Sequence, residues 1–497
     1  MLWSNWTLAI GRRTIKTNKL FWGASTALLT TAFCFTVIAG IAFSVKQEFV
    51  LTNAQLGMFT GVFFVGFTIS QAIFAPFCDS IGIRWIMRAA FVGHVSGALF
   101  MMLAQGYDAL IVGSLLAGMG AGFVEAGGNP LVTALFPDNK TTKLNRFHIW
   151  FPYGNLIAAV ILTVVFKGLD IGWRGQLFLI LIPAAIYGVM LMAEEFPPTE
   201  GAQAGITLAE SVRALFAPIM LLMVPLMVVT ASMELPPSSW VPPVLQAGGV
   251  NGLLVFGFVF GIMGTLRFTA GPVIRLLTPT GVLLGSSILG TLGLYLFSYA
   301  ETTFMAFATA AIWAVGIAYF WPTMLGFVSE RNPKSGALGL GVMGAVGMLA
   351  SFYVTPWLGS VADREGHTQI PEAATVELFR TVSLEFPLIA VNSGEQTDDI
   401  LAVASTTQMV LESYTETGVL PEGDTAQALR SISTSGVDAA VVSKAAAILN
   451  PADNYGGRIS FRTLAPIGFI LIAVFGFLLV QDRRRGGYKA VDLSSEQ

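Results

Sequence analysis

Residues 20–45 read LFWGASTALLTTAFCFTVIAGIAFSV, from Leu20 to Val45, without one charged side chain. A bilayer core is about 30 Å thick and a helix rises about 1.5 Å per residue, so roughly 20 apolar residues span it. Backbone amides in hydrocarbon find no water, so a segment of this kind must satisfy them internally, as a helix. The run starts after Lys19, is longer than the apolar part of a secretory leader, and lacks a small-residue cleavage site. The expectation is a retained first transmembrane helix.

The pattern repeats outward from there. Apolar runs cover Leu56 to Phe77, Ala89 to Leu103, Leu110 to Phe136, Phe147 to Phe166, and Leu177 to Met192. A polar stretch from Glu194 to Ser211 follows. Six more runs cover Pro218 to Leu245, Leu253 to Phe268, Gly281 to Tyr299, Phe304 to Val328, Ala337 to Leu358, and Leu464 to Val480. The expected organisation is an N-terminal six-helix bundle (1–193), a linker (194–214) and a C-terminal six-helix bundle (215–497). Composition agrees. Of 497 residues, 54% are hydrophobic and 11% charged, where a soluble domain carries about 25% charged residues. The fold class is an all-α membrane protein with 12 transmembrane helices.

A net charge of −3 offers no basic face, so nucleic acid is not an expected partner. Cys34 and Cys78 lie in or beside apolar runs, and the histidines are only His94, His148 and His367. Neither a disulfide framework nor a metal site is expected, and no cofactor. A membrane enzyme needs a convergent nucleophile, base or metal set, and none is visible. Most of the 27 basic residues fall on one side of the predicted helices, among them Arg12, Arg13, Lys16, Lys19, Arg84, Arg88, Arg146, Arg213, Arg267, Arg331 and Arg483 to Arg485. The opposite short loops keep Lys46, Lys167 and Arg174. This bias predicts an inner membrane with both termini cytoplasmic. One polar, acidic segment, Ala362 to Arg462, lies on the outer side as an insert (364–462). It has helix-like pieces, Thr397 to Glu416 and Thr425 to Ser433, and an apolar stripe of Ile400, Leu401, Val403, Val410 and Leu411. It reads either as a cap over the outer mouth or as a partner-binding or substrate-gathering domain, the latter including a receptor.

The halves echo each other. Ala75-Pro-Phe-Cys-Asp79-Ser-Ile-Gly82-Ile-Arg84 returns about 196 residues later as Gly271-Pro-Val-Ile-Arg275-Leu-Leu-Thr-Pro-Thr-Gly281. The run ending Pro-Leu-Val-Thr-Ala-Leu-Phe136 is matched by Trp-Pro-Thr-Met-Leu-Gly-Phe-Val328. Asp79-x-x-Gly82-x-Arg84 resembles the loop signature of the major facilitator superfamily. That resemblance implies two pseudo-symmetric six-helix bundles around a central cavity, alternating access, and a monomer in membrane lipid. Asp79, Gly82, Arg84 and the second-half Arg275 are then candidate gate residues, an acid and bases that lock helix ends in one state and release them in another.

A narrower likeness rests on Glu125-Ala-Gly-Gly-Asn129-Pro130-Leu-Val, Leu144-Asn145-x-x-His148 and Gly154, with Met233-Glu234, Tyr319-Phe-Trp321-Pro322-Thr and Pro356-Trp-Leu-Gly359-Ser-Val-Ala-Asp363. These resemble the fucose permease family of sugar–proton symporters. The resemblance implies a sugar substrate and a coupling proton, with Glu125 binding both; sodium is the other candidate ion. Two departures stand out. The first helix lacks the family's acid, and the family's amide positions in the fifth helix fall on His148 and Phe151. An exporter, or a carrier of a peptide, nucleoside or drug, is the alternative within the class.

The residues themselves support a cavity. An ionisable Glu125 inside an apolar span costs a few kcal/mol unless it faces water or a partner. It can exchange a proton there or accept hydrogen bonds from sugar hydroxyls. Glu234 precedes four prolines, Pro236, Pro237, Pro242 and Pro243, with Trp240 between the two pairs, which predict a broken helix and a gate; the other reading is a helix end with Trp240 as an interface anchor. Asn129 serves either substrate or the carbonyls freed by Pro130. His148 is either a donor or a packing residue. Tyr153, Trp313, Tyr319 and Trp321 offer flat faces to a sugar ring or pack the bundle. Gly118, Gly120 and Gly122, with Gly341, Gly344 and Gly347, predict close helix approach.

Overall fold

Each predicted apolar run is helical in the computed structural model, which describes residues 7–10, 13–74, 77–136, 143, 146–198, 208–391 and 397–489. The first bundle contains α1 (Thr17–Glu48), α2 (Asn53–Phe74), α3 (Ile83–Met102), α4 (Tyr107–Leu135), α5 (Trp150–Val160) with a π-helical extension (Ile161–Phe166), and α6 (Phe178–Leu191). The second contains α7 (Pro218–Ala247), α8 (Gly252–Phe268), α9 (Ala270–Phe297), then α10 (Thr303–Ile317) and α11 (Phe320–Arg331), which share one span, and α12 (Gly336–His367). The insert supplies α13 (Glu372–Ala390), α14 (Thr397–Thr417), α15 (Glu422–Thr434) and the first part of α16 (Ala439–Leu464); α17 (Gly468–Arg484) completes the last span. Among the described residues the strands are one antiparallel pair, β1 (Thr7–Ile10) and β2 (Arg13–Lys16), with Thr7 opposite Lys16.

Eleven described helical segments are long and apolar enough to cross a bilayer, and the 17-residue α8 is the shorter twelfth. The chain is an integral membrane protein. The insert packs at the Glu48 end of α1 and the His367 end of α12, and that end of the bundles is the insert face.

Glycine sets how close the helices come. A Cβ on Gly118 of α4 would fall on the carbonyl oxygen of Phe63 in α2, and one on Gly122 would strike Ser70 and Phe67. A Cβ on Gly120 would lie 2.6 Å from the backbone nitrogen of His94 in α3. Between the bundles, a Cβ on Gly57 of α2 would lie 2.7 Å from Cα of Pro356 in α12, and Gly359 of α12 abuts Asn53. Gly344 faces Gln71 and Gly347 faces Trp321. Small residues thus form the seam along α2 and α12, where van der Waals contact, not water exclusion, holds helices together.

Three features differ from the sequence reading. The four prolines do not break α7: all lie inside one continuous helix. Proline's fixed φ fits a helix, and what it removes is a backbone donor. Pro237 leaves the Met233 carbonyl without its intrahelical partner, and the Trp313 indole nitrogen donates to that carbonyl at 3.2 Å. The ninth span starts at Ala270 instead of Gly281 and bends at Thr278 (φ 64°, ψ 159°). Its first-half counterpart Gly82 has φ 84° and ψ 135°, so the two loops share one left-handed bend. The tenth span is broken at Ala318 and Tyr319.

The insert has its own core of Phe379, Val382, Phe386, Leu429, Ile432 and Leu449. From the predicted stripe, Ile400 and Val410 are buried there and Val403 and Leu411 pack beside it, while Leu401 is exposed.

Candidate functional site

Glu125 and Asn129 are one turn apart on α4, so their side chains share a face. The Asn129 amide nitrogen donates to Glu125 Oε2 at 2.7 Å. His148, just before α5, places Nε2 2.9 Å from Asn129 Oδ1. An amide oxygen only accepts, so Nε2 carries the proton and Nδ1 is the free nitrogen in the neutral ring. Nδ1 lies 3.9 Å from Glu125 Oε1, where a protonated imidazole would pair with the carboxylate. Three polar side chains thus form one relay inside the first bundle. Glu125 keeps 15% of its side chain exposed and His148 33%, so the histidine is the relay's open end.

The second bundle holds a different charge arrangement. Glu234, midway along α7, is buried and accepts from Arg267 Nη2 of α8 at 3.2 Å. Arg267 reads from the sequence as a membrane-edge charge; in the structure its side chain is part-buried and paired. Its Nε donates at 2.9 Å to the carbonyl of Ala318, at the break between α10 and α11. The Tyr319 hydroxyl returns a bond to the Leu266 carbonyl at 3.2 Å. The break in the tenth span is therefore tied to α8 from both sides. Among the described residues the buried Trp240 Nε1 has no hydrogen-bond partner. Trp240 and Trp313 are fully enclosed, and Trp313 stacks on Phe297. Trp321 is half-buried against Gly347.

An aromatic plug that sequence reasoning missed joins the two bundles. Phe35 of α1 has Phe63, Phe64, Phe151, Phe256 and Phe260 around it, at ring-centroid distances of 5.9 to 6.1 Å. These rings come from α1, α2, α5 and α8, hence from both bundles. Phe151 sits one turn above His148, so the plug overlies the relay on its insert side. Tyr153 lies on the same seam, its ring packed on Gly264 of α8. No single helix carries enough of these phenylalanines to announce the cluster.

Of the candidate gate residues, Gly82 occupies a left-handed bend that favours glycine. Arg84 is half-buried and Arg275 exposed. The Asp79 side chain lies outside the described residues, as do Leu144 and Asn145.

A second polar network closes the insert face. Lys46, at the end of α1, donates to Asp453 Oδ2 at 2.5 Å and to Asn53 Oδ1 at 2.6 Å. Asn53 Nδ2 bonds Asp453 Oδ1 at 3.0 Å and Asp363 Oδ1 at 2.8 Å. Asp363, from α12, also accepts from the backbone nitrogens of Asn53 and Ala54 at 3.0 and 2.9 Å. A carboxylate of the second bundle thereby caps a helix of the first, as the helix dipole favours.

Comparison with known proteins places this architecture. A family model described as Major Facilitator Superfamily matches residues 15–355. Sugar transport protein 4 of Arabidopsis thaliana is 28% identical over 158 residues, 31% of this chain and 30% of that protein. The L-fucose-proton symporter of Escherichia coli strain K12 is 29% identical over 119 residues, 23% of this chain and 27% of that protein. The chain thus spans under a third of the length of these relatives. The partially occluded inward-open structure of the xylose transporter XylE from E. coli superposes with a TM-score of 0.57 at 15% identity, covering 69% of this chain and 91% of that one. At such identity the likeness is one of fold.

Proposed function

The chain belongs to the major facilitator superfamily, and on that premise we propose that it is a secondary transporter carrying a monosaccharide or similar small polyol together with a proton. It works by alternating access, the two bundles rocking around the plug and the two charged clusters. Membership of a carrier superfamily sets aside the enzyme reading. The Lys and Arg distribution supports a cytoplasmic membrane with the termini inside and the insert outside.

The observation that carries the reading is the Glu125–Asn129–His148 relay. A sugar hydroxyl that donates to Glu125 competes with the Asn129 amide for the same oxygen, so substrate binding frees Asn129 and shifts His148. A proton arriving at His148 Nδ1 faces the Glu125 carboxylate. Binding of sugar and proton is then linked through one hydrogen-bond chain. Glu234 is already neutralised by Arg267, so Glu125 is the proton carrier in this reading and Glu234 a ligand or structural acid.

The test is uptake of labelled monosaccharides into proteoliposomes, with an inward proton gradient, a sodium gradient, or neither. Proton-driven accumulation of one sugar is expected, and Glu125→Gln is expected to equilibrate that sugar without accumulating it. Accumulation by Glu125→Gln equal to wild type would sink the coupling role. Flux of a nucleoside or peptide with no sugar flux would replace the substrate class.

A further inference from the structure

We propose that the outer insert is a working part of the outer gate: Arg430 and Asp453 are positioning residues that hold Lys46, and through it the insert-side ends of α1 and α2, against the second bundle. The inference rests on the carrier reading above, since a gate has meaning only in a molecule that opens.

Asp453 lies on α16, which is stitched to the second bundle from Ala452 onward. A Cβ on Gly456 would fall on the Ala362 carbonyl of α12, and one on Gly366 would lie 2.9 Å from the Ala452 carbonyl. Asn454 donates to the Val244 carbonyl of α7 at 2.9 Å, and Arg458 to the Ser298 carbonyl beyond α9 at 2.8 Å. Asp453 must therefore move with α7, α9 and α12. From the insert, Arg430 of α15 donates to both Asp453 oxygens, at 3.0 and 3.2 Å, and is 2% exposed. Lys46 moves with the first bundle.

The charges of the closed network balance, with Lys46 and Arg430 against Asp453 and Asp363. Rocking the bundles apart on this face divides that set, leaving one uncompensated positive charge on α1 and one uncompensated negative charge on the other side. A buried charge stripped of its partner is strongly unfavourable. Separation therefore requires water to enter, which is the outward-open state. A passive cap would touch the bundles through replaceable surface. Here the insert supplies Arg430, a buried cation bound to the carboxylate that the first bundle grips.

The test uses the full chain in proteoliposomes with Cys34→Ala, Cys78→Ala and a reporter, Thr355→Cys. Thr355 is fully buried on α12, and its carbonyl abuts Gly57 of α2 at the seam. Labelling by a membrane-impermeant maleimide from the insert side reads opening of that face and needs no substrate, so a failed sugar assay leaves it standing. Lys46→Met and Asp453→Asn are each expected to raise the labelling rate at least about tenfold. The double variant is expected to label no faster than the faster single one, and Lys46→Arg, which keeps the charge, at the wild-type rate. Unchanged labelling in both single variants overturns the proposal. So does a multiplicative rise in the double variant, which would mean two independent weakenings instead of one lock.

Discussion

Thr278 carries a left-handed backbone (φ 64°, ψ 159°) that its first-half counterpart meets with Gly82. A branched side chain there costs about 1–3 kcal/mol. Thr278→Gly should therefore raise the thermal midpoint in detergent, with a gain of about 1 kcal/mol. Trp313 is the opposite case, a side chain that repairs the backbone at Pro237. Trp313→Phe keeps the ring but strands the Met233 carbonyl, and should cost about 1–3 kcal/mol in the same melt. Glu194 reports on pH. The hydrogen bond from Lys19 at 2.7 Å, opposed by partial burial and helped by Lys16 at 3.3 Å, holds its carboxyl below the usual range. A depressed carboxyl stabilises above the unfolded value, about 4.3, and loses that contribution as pH falls through the folded one. The stability gap between wild type and Glu194→Gln should be present at pH 7 and shrink below that window. The sequence marked Glu125, Asn129 and His148 one by one. The i, i+4 spacing puts Glu125 and Asn129 on one face, but that His148 of the next span docks on Asn129 is a matter of rotamer and helix packing, which residue order does not encode.

At the scale of the element, length and apolarity made the helices legible. Their boundaries moved where polar residues extend a helix past the bilayer: α12 runs on from Leu358 to His367 because the insert receives it. The predicted break in α7 failed for a physical reason. Proline's φ is compatible with a helix, and at Pro237 another helix supplies the donor that the Met233 carbonyl lost. The glycine runs gave a correct expectation because only missing side chains let two backbones touch. Gly118→Val would drive its side chain into the Phe63 carbonyl. Overpacking against backbone has no rotamer escape, so a loss of about 3 kcal/mol is expected, read as a lower inactivation temperature.

At the scale of the whole molecule, the bundles meet through three kinds of contact. Glycine seams hold α2 to α12, phenylalanines fill the centre, and a buried polar network closes the insert face. The seam is built mainly of small residues and the plug of phenylalanine rings; the network is charged and either closed or split. This division makes the insert face the natural place for a two-state switch. It also implies that gradient-driven uptake should fall when the network is weakened, even though none of its residues touches the relay. Lys46→Met should lower accumulation while leaving binding of the proposed sugar substrate intact, measured by equilibrium dialysis.

The sequence by itself determined that this chain crosses a membrane twelve times, because hydrocarbon tolerates only long apolar helices and those are visible as runs. It also determined the candidate polar residues, because an ionisable side chain inside such a run stands out. Only the tertiary structure decided which of those residues meet. Arg267 reads as a membrane-edge charge and lies part-buried on Glu234; Lys46 reads as a loop charge and lies bound to an aspartate about 400 residues away in the insert. Pairings across such distances depend on how helices dock, and docking among apolar surfaces is set by shape, which composition and periodicity leave open.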